Sequence, residues 1–335
     1  MKHFKKAILV TVVFVLITAV ISTVSITAYF NNESDRQVRE EFSGELDYLV
    51  VGASHGLRAF VPGVMDENLG CSSYNLSGAL MTFNGREALL YEELERSEIK
   101  TVVFEISYNA LTRPISEIEG DLHVVPRLAE AKDRAAYFFN NIDGFHWDLP
   151  YSYYFTNGTL SLLKSIRGSA PKSAAQSKKG YSPLNAVDLT LSESEAKEIH
   201  NSISNETEIN KENLEVLERM LAALEKEGAE VIFAVTPVSN ACIWEADNWD
   251  TFYSDLKDLS RDYNVKMYDF NLLKNRYELF NDKTSFFDNY HLSDEGAKTF
   301  SQEYCKVIKE AENKSVDSLF YESYAEMKND SPYNK

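Results

Sequence analysis

The sequence predicts an α/β domain on a doubly wound, mostly parallel sheet of about five strands, with a largely helical insertion and one N-terminal transmembrane helix. Three observations lead to this prediction. An uncharged apolar run opens the chain, short apolar runs alternate with segments of helical periodicity, and one long central stretch lacks that alternation. Alternating strands and helices are typical of parallel sheets that carry helices on both faces.

The apolar run comprises the 24 residues Ala7–Phe30, none of which is charged. As a helix it is about 36 Å long, enough to cross a hydrocarbon core of about 30 Å. Residues 1–6 form a basic cytoplasmic tip, so we expect the bulk of the chain outside the cell membrane. A cleaved signal peptide is the alternative, but its apolar region is usually shorter and residues 27–29 are a poor cleavage site. A single-pass anchor is therefore favoured, followed by a polar stalk over residues 31–45.

Five apolar runs in the rest of the chain predict strands, and four amphipathic segments predict helices. The strands are expected at 46–51, 72–76, 101–106, 230–236 and 265–270. The helices are expected at 83–96, 210–227, 249–263 and 293–310. The carboxyl ends of parallel strands meet at one edge of the sheet, where binding and catalytic residues collect.

The long stretch without strand–helix alternation is residues 110–208, which contain an aromatic cluster and a run rich in Ser, Ala, Lys and Gly. We expect either a helical insertion with a loop or a lid beside the active site. The α/β domain then covers residues 46–312 including this insertion, and residues 313–335 form a polar tail.

Charge and cysteine content exclude some functions. The formal net charge is −18, which disfavours binding to the phosphates of nucleic acids. The three cysteines lie far apart without a C-x-x-C motif, and the histidines His123, His146 and His200 have no metal-ligand spacing. The sequence therefore predicts no metal, no cofactor and no nucleic-acid partner.

A first candidate motif, GASHG at residues 52–56, directly follows the first predicted strand. It matches G-x-S-x-G, in which a serine on a sharp turn exposes its hydroxyl. Ser54 in this position is suited to nucleophilic attack close to groups that stabilise negative charge. The motif is weak on its own, because small residues also form turns that carry no chemistry.

A second candidate motif lies just before the last predicted helix, where Asp288 precedes His291 by three residues. A carboxylate there can accept a hydrogen bond from one ring nitrogen and orient the other nitrogen toward a serine. In a doubly wound sheet this loop and the Ser54 turn fall at the same edge. A hydroxyl, an imidazole and a carboxylate can therefore converge from opposite ends of the domain.

With these two motifs the chain resembles the SGNH/GDSL hydrolases, which place the nucleophile after the first strand and carry D-x-x-H near the C-terminus. It is similar to their membrane-anchored cell-envelope branch, which includes the D-alanyl transfer protein of teichoic acid synthesis and alginate O-acetylation proteins. The resemblance covers roughly residues 46–110 and 230–312 and implies a flavodoxin-like sheet. It implies that Ser54 is the nucleophile, His291 the general base and Asp288 its orienting partner.

The resemblance also implies an oxyanion hole, with the amides of Ser54 and Gly78 and the side chain of Asn109 as candidates. Gly78 and its neighbour Ser77 lie in a segment that looks like the family's second block. The chain departs from the family in two places, since Ala53 replaces the usual Asp of the first block and the third block, Gly-x-Asn-Asp, is absent.

Several other residues fall near the predicted active edge. Glu105 and Ser107 lie closer than Asn109 to the usual position of the third block. Candidate substrate contacts are His55, Arg58, Ser77 and Arg113. An α/β-hydrolase is the rival interpretation of G-x-S-x-G, but it has several strands before its nucleophile, and here only about fifteen residues separate the anchor from the first strand.

These observations predict a membrane-anchored serine acyltransferase or esterase that acts on O-acyl groups, acetyl or D-alanyl, of a cell-envelope polymer. The expected partners are an envelope polysaccharide or teichoic acid, the membrane, and a membrane-bound O-acyltransferase. A binding or scaffold module with a degenerate site is the alternative, and the choice between hydrolysis and transfer stays open.

Overall fold

A computed structural model gives the fold. The structure describes residues 2–33, 44–108, 110–142, 148–167, 179–189, 196–198 and 208–330. The strands β1 to β5 are, in chain order, Glu45–Val51, Ser73–Asn75, Glu98–Glu105, Glu230–Val235 and Lys266–Asp269.

The helices lie mostly where the chain crosses between strands. The first seven, α1 to α7, are Lys2–Glu33, Ser54–Ala59, Pro62–Leu69, Phe83–Leu94, Ile118–Val124, Ala131–Asn141 and Asp148–Ile166. The next six, α8 to α13, are Lys211–Glu227, Asn240–Glu245, Trp249–Asp262, Arg276–Leu279, Asp294–Ala311 and Tyr324–Asn329.

The five strands form one sheet in the order β2-β1-β3-β4-β5, and every pairing is parallel. The predicted α/β class with a five-stranded parallel sheet is therefore confirmed. β1 pairs with both β2 and β3, so the direction in which the chain adds strands reverses at β1. In open α/β sheets a crevice forms outside the carboxyl ends at such a reversal, and it is a common ligand site.

Both faces of the sheet are buried, because alternate residues of the central strands enter two separate apolar clusters. Val102 and Phe104 of β3 belong to the larger cluster, together with the apolar sides of α4, α8 and α10. Val103 belongs to the second cluster, which α12 completes. This two-sided burial explains why the central strands read as continuous apolar runs rather than as alternating ones.

Local signals set the ends of the long helices. The side chain of Thr82 accepts a hydrogen bond from the amide of Gly85 at the start of α4, and Ser293 accepts one from Gly296 at the start of α12. Gly228 ends α8 with φ of 75°, in the left-handed region that glycine adopts without steric strain. These caps explain why the helix ends fall within two residues of the bounds expected from the sequence.

The first helix, α1, covers the predicted membrane segment and continues past it to Glu33. Its segment Lys6–Asn31 has a mean hydropathy of 2.8. One N-terminal helix is thus long and apolar enough to span a membrane. Most of the predicted stalk lies outside the described residues, and β1 begins at Glu45.

The C-terminal segment is packed against the domain, which differs from the polar tail that the sequence predicted. Tyr321, Tyr324 and Met327 are buried in the larger apolar cluster, and the ring of Tyr324 stacks on Trp249 at 5.1 Å. The hydroxyl of Tyr324 donates to Asp269 Oδ2 at 2.7 Å, at the end of β5. Three apolar side chains at three-residue spacing are too few to stand out in a charged sequence, yet they cover this end of the sheet.

The buried carboxyl of Asp269 predicts a specific pH dependence of stability. Burial raises the pKa of Asp269 from 3.8 to about 6, against the opposing effect of the hydrogen bonds from Tyr324 and Asn271. A raised pKa in the folded state means that stability is fully present below the unfolded pKa and is lost as the pH rises through the folded pKa. We expect this group to lower the free energy of unfolding by about 2 kcal/mol between pH 4 and pH 7.

Urea unfolding of the wild type and of Asp269→Asn at several pH values measures this effect. The amide mimics the protonated carboxyl, so the variant should lack this part of the pH dependence. Its free energy of unfolding should therefore increase relative to that of the wild type as the pH rises. Equal pH dependence in the two proteins would contradict the assignment.

Candidate active site

Ser54 begins α2 immediately after the turn that leaves β1. The turn passes close beneath β3, because a Cβ on Gly52 would lie 2.6 Å from Cβ of Glu105. Glycine is therefore required at position 52 for the chain to turn at this point. The result is a serine at the reversal point of the sheet, with its side chain directed to the crevice.

Three side chains from distant parts of the chain meet at this point. His291 Nε2 lies 2.8 Å from Ser54 Oγ, and His291 Nδ1 lies 2.8 Å from Asp288 Oδ2. The distances are within the range of good hydrogen bonds. The structure thus brings together the three residues that the sequence singled out, in the order hydroxyl, imidazole, carboxylate.

The loop that carries the imidazole is held by its own aspartate. Asp288 Oδ1 accepts the main-chain amides of Tyr290 and His291, both at 2.8 Å. Burial acts to raise the pKa of Asp288, but the hydrogen bonds from the His291 ring and from these two amides outweigh it and hold the pKa below its usual value. Asp288 is therefore ionised at neutral pH and favours a proton on Nδ1, which leaves Nε2 free to accept the serine proton.

His55, the residue after the serine, stacks on the His291 ring with centroids 5.0 Å apart. Burial, followed by the proximity of His291, lowers the pKa of His55 to about 3. Its ring is neutral at physiological pH, and Nδ1 is buried with no hydrogen-bond partner among the described residues. A neutral ring at this place packs against the imidazole without adding a competing charge.

Beneath the serine turn lies a buried carboxyl that sequence reasoning noted only for its position. Glu105 is 0% exposed, and its Oε2 accepts the amide of Ala53 at 3.1 Å. Burial raises the pKa of Glu105, with the charge of Arg86 acting in the opposite direction. This contact ties the turn that carries Ser54 to the end of β3.

Arg86 is a functional candidate that the sequence did not reveal. Its guanidinium is 2% exposed, donates from Nη1 to the carbonyl of Glu105 at 3.1 Å, and lies over the ring of Phe83 at 4.6 Å. Its Nε is buried without a hydrogen-bond partner in the described part of the chain, and the residue lines the cavity next to Ser54. An arginine in an amphipathic helix carries no signal of this kind in a single sequence.

A cavity of about 320 Å³ opens from Ser54 and His291. Its walls include the apolar or aromatic side chains of Leu80, Met81, Phe83, Tyr108, Val238 and Trp249. Arg113 lies at the exposed side of this cavity, as the sequence suggested for a substrate contact, and His55 also lines it. The cavity can hold an acyl group together with part of the alcohol that carries it.

The structure does not bring all the predicted oxyanion-hole donors to the cavity. The Gly78 amide donates to the carbonyl of Gly52 at 3.3 Å, so in this structure it is already engaged with the serine turn. Gly78 itself does not line the cavity, although Leu80 and Met81 of the same segment do. Asn109, the other candidate donor, lies outside the described residues.

Two predicted substrate contacts have structural roles instead. Ser77 is 1% exposed, and its hydroxyl packs against Gly56, where a Cβ would lie 2.5 Å away. Arg58 does not line the cavity and donates from Nη1 to the carbonyl of Ser182 at 2.7 Å. Neither residue lines the cavity, so the structure does not place either of them in contact with a substrate there.

Comparison with known proteins does not identify the chain, since no protein-family model matches it and no curated protein is significantly similar to it. Within the described ranges, no group of three or more His, Cys, Asp or Glu side chains is arranged to hold a metal ion. The geometry of the site is therefore the basis on which a function can be proposed.

Proposed function

We propose that this chain is a membrane-anchored serine esterase or acyltransferase of the SGNH/GDSL type. The observation that carries the proposal is the hydrogen-bonded series Asp288–His291–Ser54 at the mouth of a cavity. A serine, an imidazole and a carboxylate in this geometry are the working parts of acyl transfer through a covalent intermediate.

The reaction follows from the positions of these groups. Ser54 Oγ attacks the acyl carbonyl while His291 Nε2 takes the serine proton. When the tetrahedral intermediate collapses, the same nitrogen returns that proton to the departing alkoxide, and the acyl group stays on Ser54. An incoming water or alcohol then gives its proton to Nε2 and takes the acyl group, which restores the serine.

In the tetrahedral intermediate, the negative charge on the former carbonyl oxygen is stabilised by donors beside Ser54. The Ser54 amide is the main-chain candidate, and Arg86 adds a buried positive charge to the cavity wall. A fixed charge in a site shielded from water stabilises a developing oxyanion better than the same charge in solvent. Arg86 can in this way offset the absent third block of the family.

The substrate class follows from the resemblance together with the anchor. We propose O-acetyl or O-D-alanyl esters of an envelope polysaccharide or teichoic acid as substrates, with a membrane-bound O-acyltransferase as partner. Basic residues before α1 favour a cytoplasmic N-terminus and an extracytoplasmic domain. Apolar walls around Ser54 favour transfer by limiting access of water to the acyl-enzyme, and hydrolysis remains the alternative fate.

Labelling with a fluorophosphonate tests the proposed nucleophile. The full-length protein in detergent should be labelled at one serine, and Ser54→Ala should abolish the label. Ser107→Ala is the matched control, because Ser107 lines the same cavity and should leave labelling intact. Equal labelling of the wild type and Ser54→Ala would refute the proposal.

A non-catalytic binding or scaffold module is the second candidate function. The engagement of the Gly78 amide by the Gly52 carbonyl favours it, since that bond removes one expected oxyanion donor. Such a module keeps the fold and the cavity but shows no turnover above background. Ester turnover by the wild type, compared with that of Asp288→Asn and His291→Ala, separates the two candidates.

A further inference from the structure

Helix α7 of the insertion packs directly on the outer end of the anchor helix α1. Ser25 is 1% exposed and Tyr29 is 5% exposed, although both belong to the segment that could span a membrane. The backbones are in contact at one point, where a Cβ on Gly158 would overlap the carbonyl oxygen of Ser25. The anchor is therefore joined to the domain by a specific helix–helix interface as well as by the chain that follows it.

Hydroxyl pairs and aromatic rings complete this interface. Thr159 Oγ1 donates to Ser25 Oγ at 3.1 Å, and the hydroxyls of Ser22 and Tyr151 lie 2.5 Å apart. The Tyr29 ring meets the Tyr153 ring edge-on at 5.9 Å. Small residues at the closest approach and hydroxyl hydrogen bonds between helices are characteristic of helix packing inside membranes.

The outer side of α7 exposes large apolar side chains. Leu160 is 50% exposed, Leu163 is 45% exposed and Ile166 is 81% exposed. They lie two to eight residues after Gly158, where α7 contacts the apolar helix α1. Lys164 between them is also exposed, and its long side chain can bring its charge to the lipid phosphates.

The depth of the contact indicates what covers this surface. Ser25 lies five residues before Phe30, the last residue of the apolar run, which is about 7.5 Å along a helix. Helices that lie in a membrane surface bury their apolar side about 5–10 Å into the boundary between headgroups and acyl chains. The crossing with α1 therefore sets α7 at the depth of an interfacial helix.

We infer that α7 lies in the outer membrane interface and contacts lipid acyl chains through Leu160, Leu163 and Ile166. The inference rests on the proposed function in one respect, namely that α1 is a membrane anchor. It goes beyond the anchor because the domain itself then contacts lipid through α7. That contact fixes the height and orientation of the domain above the bilayer.

This contact is coupled to the cavity through helix α5. Tyr154 donates its hydroxyl to the carbonyl of Leu122, and the hydroxyl of Tyr153 lies 2.8 Å from His123 Nε2. At the other side of α5, a Cβ on Gly120 would overlap the carbonyl oxygen of Leu80, which lines the cavity. The cavity is thus one short helix away from the bilayer, a position suited to an ester carried by a membrane-bound donor or by a lipid-linked polymer.

Quenching of a fluorophore by nitroxide-labelled lipid tests the inference. In a Cys71→Ser background, Leu160→Cys carries a nitrobenzoxadiazole label in full-length protein reconstituted into phosphatidylcholine–phosphatidylglycerol vesicles. Lys226→Cys, exposed on α8, is the control, and the remaining cysteines, Cys242 and Cys305, are buried. We expect strong quenching and a blue-shifted emission at position 160, and neither at position 226.

Disulfide formation tests the interface separately. Ser25→Cys with Thr159→Cys should cross-link, since the two oxygens lie 3.1 Å apart, and the cross-linked peptides are detected by mass spectrometry. Thr23→Cys with Thr159→Cys is the control, because Thr23 is exposed on α1 and bonds back to its own helix. Equal cross-linking of the two pairs would count against a fixed interface.

The outcomes distinguish this inference from the proposed function. Protein that floats with vesicles but shows no quenching at position 160 keeps the anchor and overturns the inference. Protein that does not float overturns both the anchor and the inference. Fluorophosphonate labelling of Ser54 is independent of either result, so failure of the catalytic assignment is seen separately.

Discussion

Replacing Asp288 by Asn is expected to lower kcat/KM for p-nitrophenyl acetate by about 10⁴-fold while leaving the fold intact. The amide oxygen can still accept the amides of Tyr290 and His291, which turns its NH₂ group toward His291 Nδ1. Two donors cannot share that contact, so the ring proton moves to Nε2. An imidazole with its proton on Nε2 cannot accept the proton of Ser54.

Turnover of the full-length protein in detergent measures this effect, with His291→Ala beside it. The double variant should be no slower than the slower single variant, because the two residues act as one unit. Asp282→Asn is a matched control on the same loop, since its side chain accepts one main-chain amide, from Asn240, and does not contact the imidazole. If the wild type and all of these variants hydrolyse the ester only at the uncatalysed rate, the binding module is favoured.

Replacing Glu105 by Ala is expected to lower the free energy of unfolding by about 3 kcal/mol. The change removes the acceptor of the Ala53 amide and leaves a void beneath the serine turn. It also removes the carboxyl charge that acts on the buried Arg86 guanidinium, although the hydrogen bond from Arg86 to the main-chain carbonyl of residue 105 is kept. Because the turn positions Ser54, we also expect kcat/KM to fall by about 10²-fold.

Urea unfolding and the same turnover assay measure both parts of this prediction. Glu105→Gln keeps the size of the side chain and one acceptor oxygen. Its free energy of unfolding and its kcat/KM should therefore fall less than those of Glu105→Ala. Glu98→Ala, at the exposed start of the same strand, should change neither quantity. A Glu105→Ala protein as stable and as active as the Glu98→Ala protein would show that the buried carboxyl does not support the turn.

The sequence predicted those features whose signals are local or topological. Apolar runs and helical spacing gave the five strands and the long helices, and capping residues such as Thr82 and Ser293 set their ends. The convergence of Ser54 and His291 followed from a rule of parallel sheets, in which loops at the carboxyl ends share one edge. Neither inference needed knowledge of individual contacts.

The features that the sequence did not predict depend on contacts between distant residues. The contact of Arg86 with Glu105 joins a helix to a strand, and neither residue differs in type from many solvated charges in this chain. The Ser25–Gly158 contact joins residues more than a hundred positions apart, and on a helix that is apolar on all sides nothing in the sequence marks the side that makes the contact. The hydrogen-bond partner of the Gly78 amide is not predictable from the sequence either, because the path of the backbone decides which carbonyl accepts from it.

We propose that Ser54 is a nucleophile activated by His291, and mapping the site of covalent labelling distinguishes this role from a structural one. After reaction with a fluorophosphonate, peptide mass spectrometry of the full-length protein locates the modified residue. We predict modification at Ser54, a large decrease in its rate in His291→Ala, and none in Ser54→Ala. Modification elsewhere, or equal rates in the wild type and His291→Ala, would show that Ser54 is not a nucleophile activated by His291.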